Sequence, residues 1–316
     1  MKIEKFINLL IKKATIAGRY STANAYLNTL RNYQQFIQKP SQTFEELTPE
    51  GMKNQELFML QNALRYNTIS LYNRMMRSIC NQAVAQKVTD INTAELFKDV
   101  FMGCKTTVKR TIEPAVIGQL MDTDFSQSPQ LEFSRDLFLL SFYLRGISFV
   151  DLAYLCKSNV NYHTLIYFRQ KNGRMIYVTL EECASKIIRH YAGQCKESIY
   201  LLPIITGTQE EGHKQYRSAL RLYNKHLQQI SALLNLDITL TSGVPRHTWV
   251  AIAQNTNVPI AVINTCMGQS SNNVTYTYLD PFENHKLSDA NKKVIATVMR
   301  KNWKRKKSLL LIKQLP

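Results

Sequence analysis

No stretch of the sequence approaches the roughly 20 consecutive apolar residues that a membrane-crossing helix needs. The opening run, MKIEKFINLLIKKATIAGRY, is short, broken by charge and followed by no small-residue cleavage site. It therefore reads as the first part of the folded chain rather than a leader. No glycine-rich phosphate loop is present, which removes the usual ground for an ATP-driven activity. The six cysteines (Cys80, Cys104, Cys156, Cys183, Cys195 and Cys266) form no CxxC pair and no Cys/His cluster at zinc spacing. Scattered and mostly in apolar contexts, they are expected to be reduced thiols of a cytoplasmic protein. Neither metal nor any other cofactor is expected, and internal repeats and low-complexity tracts are lacking.

Negative charge is also scarce. Only 23 Asp and Glu stand against 40 Lys and Arg, leaving +17. The basic residues spread along the whole chain, so the field is not that of a tail. Such a field selects a polyanionic partner, most commonly nucleic acid; the plain alternative is a merely basic protein. An RNA-binding protein would use stacking aromatics on single strands, and no such module is visible.

The chain has 316 residues, enough for two ordinary domains, and its 45% apolar content can fill a sizeable core. The first hundred residues read as helices. Tyr26, Leu30, Tyr33 and Ile37 recur at helical spacing after a cap at Ser21. Ile69, Tyr72, Met76, Ile79 and Ala83 follow, with Asn67 and Thr68 as cap candidates. The other face of this helix holds Asn73, Arg74 and Arg77, which either meet DNA or form a solvated face. A boundary falls at 102–112, where MGCKTTVKRT is polar, basic and aperiodic. Lys109 and Arg110 there suit a chain passing close to phosphates. The expected organisation is a helical domain over 1–101, a linker over 102–112 and a second domain over 113–316.

The second part is mixed. Leu137 to Leu144 reads as a buried helix. TLIYF (164–168) and MIYVTL (175–180) are β-rich, and RQKNGR between them carries Asn172-Gly173, a hairpin signal because both residues tolerate positive φ. Helices resume over 181–192, 214–235 and 246–256. The fold expected is mostly α with a small antiparallel sheet.

Breaking a DNA phosphodiester without a metal needs a nucleophile, cationic donors on the non-bridging oxygens, and an acid for the departing 5′ oxygen. Arginine suits the second role, since its planar fork binds phosphate bidentately and stays charged. A tyrosine nucleophile stores the bond energy in a covalent link, so rejoining needs no ATP. The chain carries VPRHTWVAIA (244–253) and MGQSSNNVTYTYLD (267–280). Here it resembles the tyrosine recombinase (phage integrase) family. In that family an Arg-His-Thr/Ser-Phe/Trp run opens a helix, a Met/Leu-Gly-His-Ser-Ser run follows, and the nucleophilic tyrosine lies nine residues beyond that histidine. Arg246, His247, Thr248 and Trp249 match the first run. Met267, Gly268, Ser270 and Ser271 match the second. Counting nine from Gln269 lands on Tyr278, with Tyr276 its rival.

The resemblance implies further roles. Lys171, in Lys171-Asn172-Gly173, takes the place of the family's hairpin lysine, the general acid; on its own it would be an ordinary turn lysine. The family's first arginine belongs to Arg-Ile-Ser-Glu, and the chain reads FYLRGISFVDLAYL (142–155). Aligning Asp151 with that glutamate puts Ser148 at the arginine position, with Arg145 one turn up the same helix face. Arg145 is the chosen candidate. Gly243 stands where the family has an accessory His or Lys, and Gln269 where it has the later histidine. Glutamine can donate to a phosphate oxygen but cannot titrate. Proton handling then falls to water, Lys171 or His247, unless His247 is buried and structural.

The implied protein is a two-domain DNA clamp: a helical core-binding domain plus a catalytic domain. It would act as a homotetramer on double-stranded DNA with paired inverted-repeat sites, nucleoid-associated in the cytoplasm, through a 3′-phosphotyrosine link and a Holliday junction. At 316 residues there is little room for an added arm-binding domain, which points to DNA inversion. The alternatives are an integrase or excisionase of a mobile element, or a catalytically weakened DNA-binding relative. The basic MRKNWKRKKSLLLIKQLP (299–316) has an apolar patch, Leu309 to Ile312, that either packs on a neighbouring subunit or folds back on its own domain.

Overall fold

Ile3, Phe6, Ile7, Leu10 and Ala14 recur at three- and four-residue spacing and form the buried stripe of α1 (Ile3–Ile16). The structure, a computed structural model, describes residues 1–38, 42–107, 110–206, 212–269 and 281–313, with side chains over 284–306 in the last stretch. The chain divides into two units, 1–108 and 109–316.

The first unit adds α2 (Tyr20–Ile37), α3 (Pro49–Gln61), α4 (Tyr66–Ala85) and a short α5 (Thr93–Leu96). Their apolar faces meet in one core, where Phe6 and Phe44 pack edge to face. Two expected caps fall elsewhere. Helix α2 begins at Tyr20 after Arg19, so Ser21 lies inside it. Helix α4 begins at Tyr66 after Arg65, so Asn67 and Thr68 also lie inside. Asn67 instead brackets Lys105, accepting from its amide at 2.8 Å and donating to its carbonyl at 2.8 Å. Asn73 is not on the solvent face. It is 1% exposed and donates to the Glu56 carboxylate and to the Phe101 carbonyl. Glu56 also accepts from the Phe101 amide, so this buried carboxylate ties the segment leaving the unit to α4.

The second unit is built around α7 (Pro129–Tyr143), whose stretch 137–143 is wholly buried. It is flanked by α6 (Pro114–Asp122), α9 (Glu182–Ala192), α10 (Gly212–Leu233) and α11 (Val244–Asn255). Shorter α8 (Phe149–Ala153) and α12 (Ile260–Cys266) lead into turns, and α13 (Pro281–Lys313) packs back on α6. Asp122 at the end of α6 holds Arg305 at 2.6 Å and Lys306 at 2.8 Å, and Gly118 leaves room for Asn302. Helix α13 thus folds onto its own unit; Leu309 to Ile312 lie outside the described side chains.

A three-stranded antiparallel sheet, in order β1 (Val160–Asn161), β2 (Thr164–Phe168), β3 (Met175–Thr179), sits beside these helices. The register pairs Phe168 with Met175. The hairpin stands where Asn172-Gly173 placed it, but only Gly173 takes positive φ, at +67°. The Arg169 amide donates to the Arg174 carbonyl at 2.8 Å, leaving a four-residue loop over 170–173. Among the described residues, no helix is long and apolar enough to cross a membrane.

Candidate active site

Helix α7 ends in an unusual way. The Arg145 amide donates to Phe142 and the Gly146 amide to Ser141, the bond pattern of a Schellman cap. Its left-handed position is normally glycine, and here it is Arg145, with φ +60°. Arg145 therefore sits in the turn before α8, not one turn up a shared helix with Ser148. Ser148 is the cap of α8: its hydroxyl donates to Asp151 Oδ2 at 2.6 Å. The Arg145 side chain is 3% exposed, and Nη1 donates to the Cys266 sulfur at 3.5 Å. Nε is buried without a partner among the described residues.

Gly146, φ +71°, allows the next contact. A Cβ there would lie 2.6 Å from Arg246 Cα, so glycine lets this turn touch the first turn of α11. Arg246 then donates Nη1 to the Gly146 carbonyl at 2.8 Å and Nη2 to the Met267 carbonyl at 2.6 Å. The framework beneath is locked by Asn291 of α13. It accepts from Trp249 Nε1 at 2.8 Å and donates to the Tyr143 carbonyl at 2.9 Å. One buried amide thus joins the helix that carries Arg246 to the end of the helix that leads into Arg145.

The hairpin meets the same place. Arg169 Nη1 donates to the Gly268 carbonyl at 2.8 Å, and Asn172 Nδ2 reaches that oxygen at 3.2 Å. Arg174 Nη1 donates to the Gln269 carbonyl at 2.8 Å. Three successive carbonyls, 267 to 269, therefore each receive an arginine. Arg169 and Arg174 were not singled out in the sequence, although a signal exists. Leu165, Tyr167 and Arg169 alternate in phase on the buried face of the hairpin, as do Arg174, Ile176 and Val178 across from them. Lys171 stands exposed in the loop between.

Positive charge dominates the centre. Arg145, Arg169 and Arg246 all act electrostatically on the buried Tyr167 hydroxyl, with Asp151 opposing them. Burial and then Arg169 push the Arg246 guanidinium down from its ordinary value, against the pull of Tyr167 and Asp151. Arginine stays a cation even so. Burial pushes the Cys266 thiol up, with Arg145 pulling the other way. Arg145 thus faces a neutral, weakly accepting thiol. The Asp151 carboxylate lies 3.8 Å from Arg169 and acts electrostatically on Arg246. Buried cations without matching counter-charge are costly unless an anion joins them.

The other expected residues are placed as follows. His247 is exposed on the first turn of α11, which corrects the reading of a buried, structural histidine. Gln269 is exposed, with its carbonyl taken by Arg174. Arg74 and Arg77 are exposed on α4; Arg77 Nη1 lies 3.7 Å from the Met102 sulfur. Arg110 is exposed. Tyr278, its rival Tyr276, Ser270, Ser271 and Lys109 lie outside the described residues.

Residues 3–100 match the family model of the phage integrase SAM-like domain. No curated protein sequence matches the chain. Among solved structures, it is similar to a lambda integrase dimer bound to a COC′ core site, at TM-score 0.58 and 13% identity over 92% of this chain and 78% of that one. It is similar also to the Tn1549 transposon integrase in complex with transposon right end DNA, at TM-score 0.59 and 13% identity over 90% of this chain and 98% of that one. A lambda integrase tetramer bound to a Holliday junction aligns at TM-score 0.56 and 13% identity, over 92% of this chain and 78% of that one. The fold class is that of DNA integrases. More narrowly, the chain shares the fold of these integrases over most of its length, and residues 3–100 match the phage integrase SAM-like domain.

Proposed function

We propose that the protein is a site-specific DNA recombinase whose nucleophile is Tyr278. The observation that carries this reading is the gathering of four guanidinium groups, those of Arg145, Arg169, Arg174 and Arg246, along residues 266–269, the backbone that precedes Tyr278. Such a site suits a phosphate better than any neutral ligand. In the proposed step the Tyr278 oxygen attacks phosphorus and loses its proton to water. The bond from phosphorus to the 5′ oxygen breaks, and the Lys171 ammonium supplies the proton that this oxygen takes up. A 3′-phosphotyrosyl link and a free 5′-hydroxyl result, and the reverse sequence rejoins the strand. Arg145 and Arg246 hold the non-bridging oxygens, Gln269 assists by hydrogen bonding, and exposed His247 is available to handle protons. Arg74, Arg77, Lys109 and Arg110 contribute phosphate contacts along double-stranded DNA.

The outcome we propose is inversion between paired inverted sites by four copies of the chain. Lambda integrase is known as a tetramer on a Holliday junction. Integration or excision of a mobile element is the second reading, favoured by likeness to phage and transposon integrases. A nicked suicide duplex, drawn from inverted repeats flanking the gene, tests the chemistry. Wild type should leave a covalent protein–DNA adduct on a denaturing gel, Tyr278→Phe none, and Tyr276→Phe the wild-type amount. Absence of the wild-type adduct would leave a DNA-binding protein without catalysis, the reading that Gly243 and Gln269 favour. An adduct surviving Tyr278→Phe removes the nucleophile assignment.

A further inference from the structure

Resting on the recombinase reading, we propose that Arg169 is a positioning residue. It sets the loop that bears Lys171 against the backbone that precedes Tyr278, and so governs proton delivery to the leaving oxygen without touching DNA.

Three observations place it there. First, the Arg169 backbone closes the loop: its amide donates to the Arg174 carbonyl and its carbonyl accepts from the Gly173 amide, each at 2.8 Å. Second, its side chain leaves the sheet and donates to the Gly268 carbonyl at 2.8 Å, while the residue is 9% exposed. Gly268 is shaped for this crossing. Its φ is +59°, and a Cβ there would stand 2.8 Å from Arg169 Cδ. Third, the other side of the guanidinium faces Asp151, with Nε 3.8 Å from Oδ2, in ion-pair range but beyond a hydrogen bond. Asp151 is itself fixed, accepting from the Ser148 hydroxyl at 2.6 Å and from the Gln170 amide at 2.8 Å. The strut Asp151–Arg169–Gly268 therefore joins α8, the base of the hairpin and the segment leading on from α12. Asn172 adds a second bond to Gly268 from inside the loop, at 3.2 Å.

The loop needs such support. Gln170, Lys171, Asn172 and Gly173 are all exposed, so the loop buries little surface to fix its own position. Misplacing a reacting group by about 1 Å can cost about a hundredfold in rate. What sets Arg169 apart is that its Nη1 is taken by the Gly268 carbonyl while its Nε faces the Asp151 carboxylate, so its guanidinium is spent between these two elements. Arg246 and Arg174 are more open to solvent than Arg169. A contribution to stability alone would also explain a buried arginine, and the chemistry of the leaving group separates the two.

The test uses the full chain and a nicked duplex carrying the sequence it selects from a randomised duplex pool. The scissile phosphate is made with an ordinary 5′ oxygen or with a bridging 5′ sulfur. Sulfur departs as a thiolate and needs no proton. Arg169→Lys and Asn172→Ala should form adduct about 10- to 100-fold more slowly than wild type on oxygen, at or below the lower end of the effect of losing a general acid outright, because the acid is misplaced and not removed. On sulfur both should return to about threefold of wild type, as should Lys171→Ala, because the general acid is no longer needed. Arg246→Ala should stay slow on both. Equal slowing on oxygen and sulfur, or none on oxygen, overturns the inference. Asn172→Ala changes an exposed loop residue and decides alone if Arg169→Lys does not fold. A wild type that forms no adduct on either duplex overturns the recombinase reading itself, a result distinct from wild-type cleavage without sulfur rescue in the variants.

Discussion

At the scale of single residues, the site depends on two consecutive left-handed positions, Arg145 and Gly146. Left-handed backbone is costly for a residue with a side chain, and such strain collects at functional sites. Gly146 is required twice over, by its φ of +71° and by the Arg246 backbone 2.6 Å from where a Cβ would stand. Gly146→Ala is therefore expected to destabilise the chain by about 1–3 kcal/mol. Gly173→Ala should cost less, since φ is +67° but nothing lies within 4 Å. Thermal melting of the pair checks this, and equal losses would contradict it. The sequence made Arg246, Lys171 and Arg145 legible as candidates because they stand in or near recognisable runs. It hid Arg169 and Arg174, because a charged residue at a strand end reads as solvated until the parity of Leu165 and Tyr167 is followed one step further. The partnership of Arg145 with Cys266 joins residues 121 apart in sequence, and no local pattern could announce it.

At the scale of elements, the hairpin was the most legible part. Alternating β-branched and aromatic residues marked both strands, and Asn172-Gly173 marked the turn between them. Helix α4 was legible as a helix, and its polar face departs from expectation at Asn73 alone, since Arg74 and Arg77 are exposed. Helical spacing puts Asn73 beside Arg74 and Arg77, but Glu56 and Phe101 come from distant parts of the chain to bury it. The docking of α13 on α6 has a pH signature. Burial raises the Asp122 carboxyl, but Lys306, Asn302 and Arg305 together outweigh it and hold the group below its usual value. A depressed folded value stabilises above the unfolded carboxylate pKa, about 3.9, and that stabilisation is lost as pH falls through the folded value. Asp122→Asn should then lower the melting temperature at pH 7, by roughly 2–4 °C if the partly exposed pairs contribute about 1 kcal/mol. The gap to wild type should begin to narrow below about pH 4 and vanish once the pH is below the folded value. A gap that persists unchanged at pH 3 would contradict the ion-pair account.

At the scale of the whole molecule, the net charge of +17 is the largest single term. It is spread over both units, so binding to duplex DNA should be dominated by counterion release. If six to ten phosphates are neutralised, affinity falls by about 10³ to 10⁵ between 50 and 200 mM salt. Fluorescence anisotropy with a labelled duplex measures the slope. Arg74→Ala and Arg77→Ala should each make the slope shallower by about one, whatever the DNA sequence. A slope unmoved by both removes α4 from the DNA-contacting surface. The charge was legible from composition alone. Where it is concentrated was not, because that depends on the chain crossings that bring Gly146, Gly268 and the hairpin together.

The return of α13 onto α6 also sets a timetable. Asn302 and Asp122, which meet in the finished unit, are 180 residues apart in the chain. At a synthesis rate of about 5–20 residues per second, α6 waits on the order of 10–40 s for its partner. During that interval the α6 face that receives α13 lies uncovered, while the first unit is already complete. The second unit can therefore close only after nearly the whole chain has been made, so its assembly is the last event of synthesis rather than one that keeps pace with it.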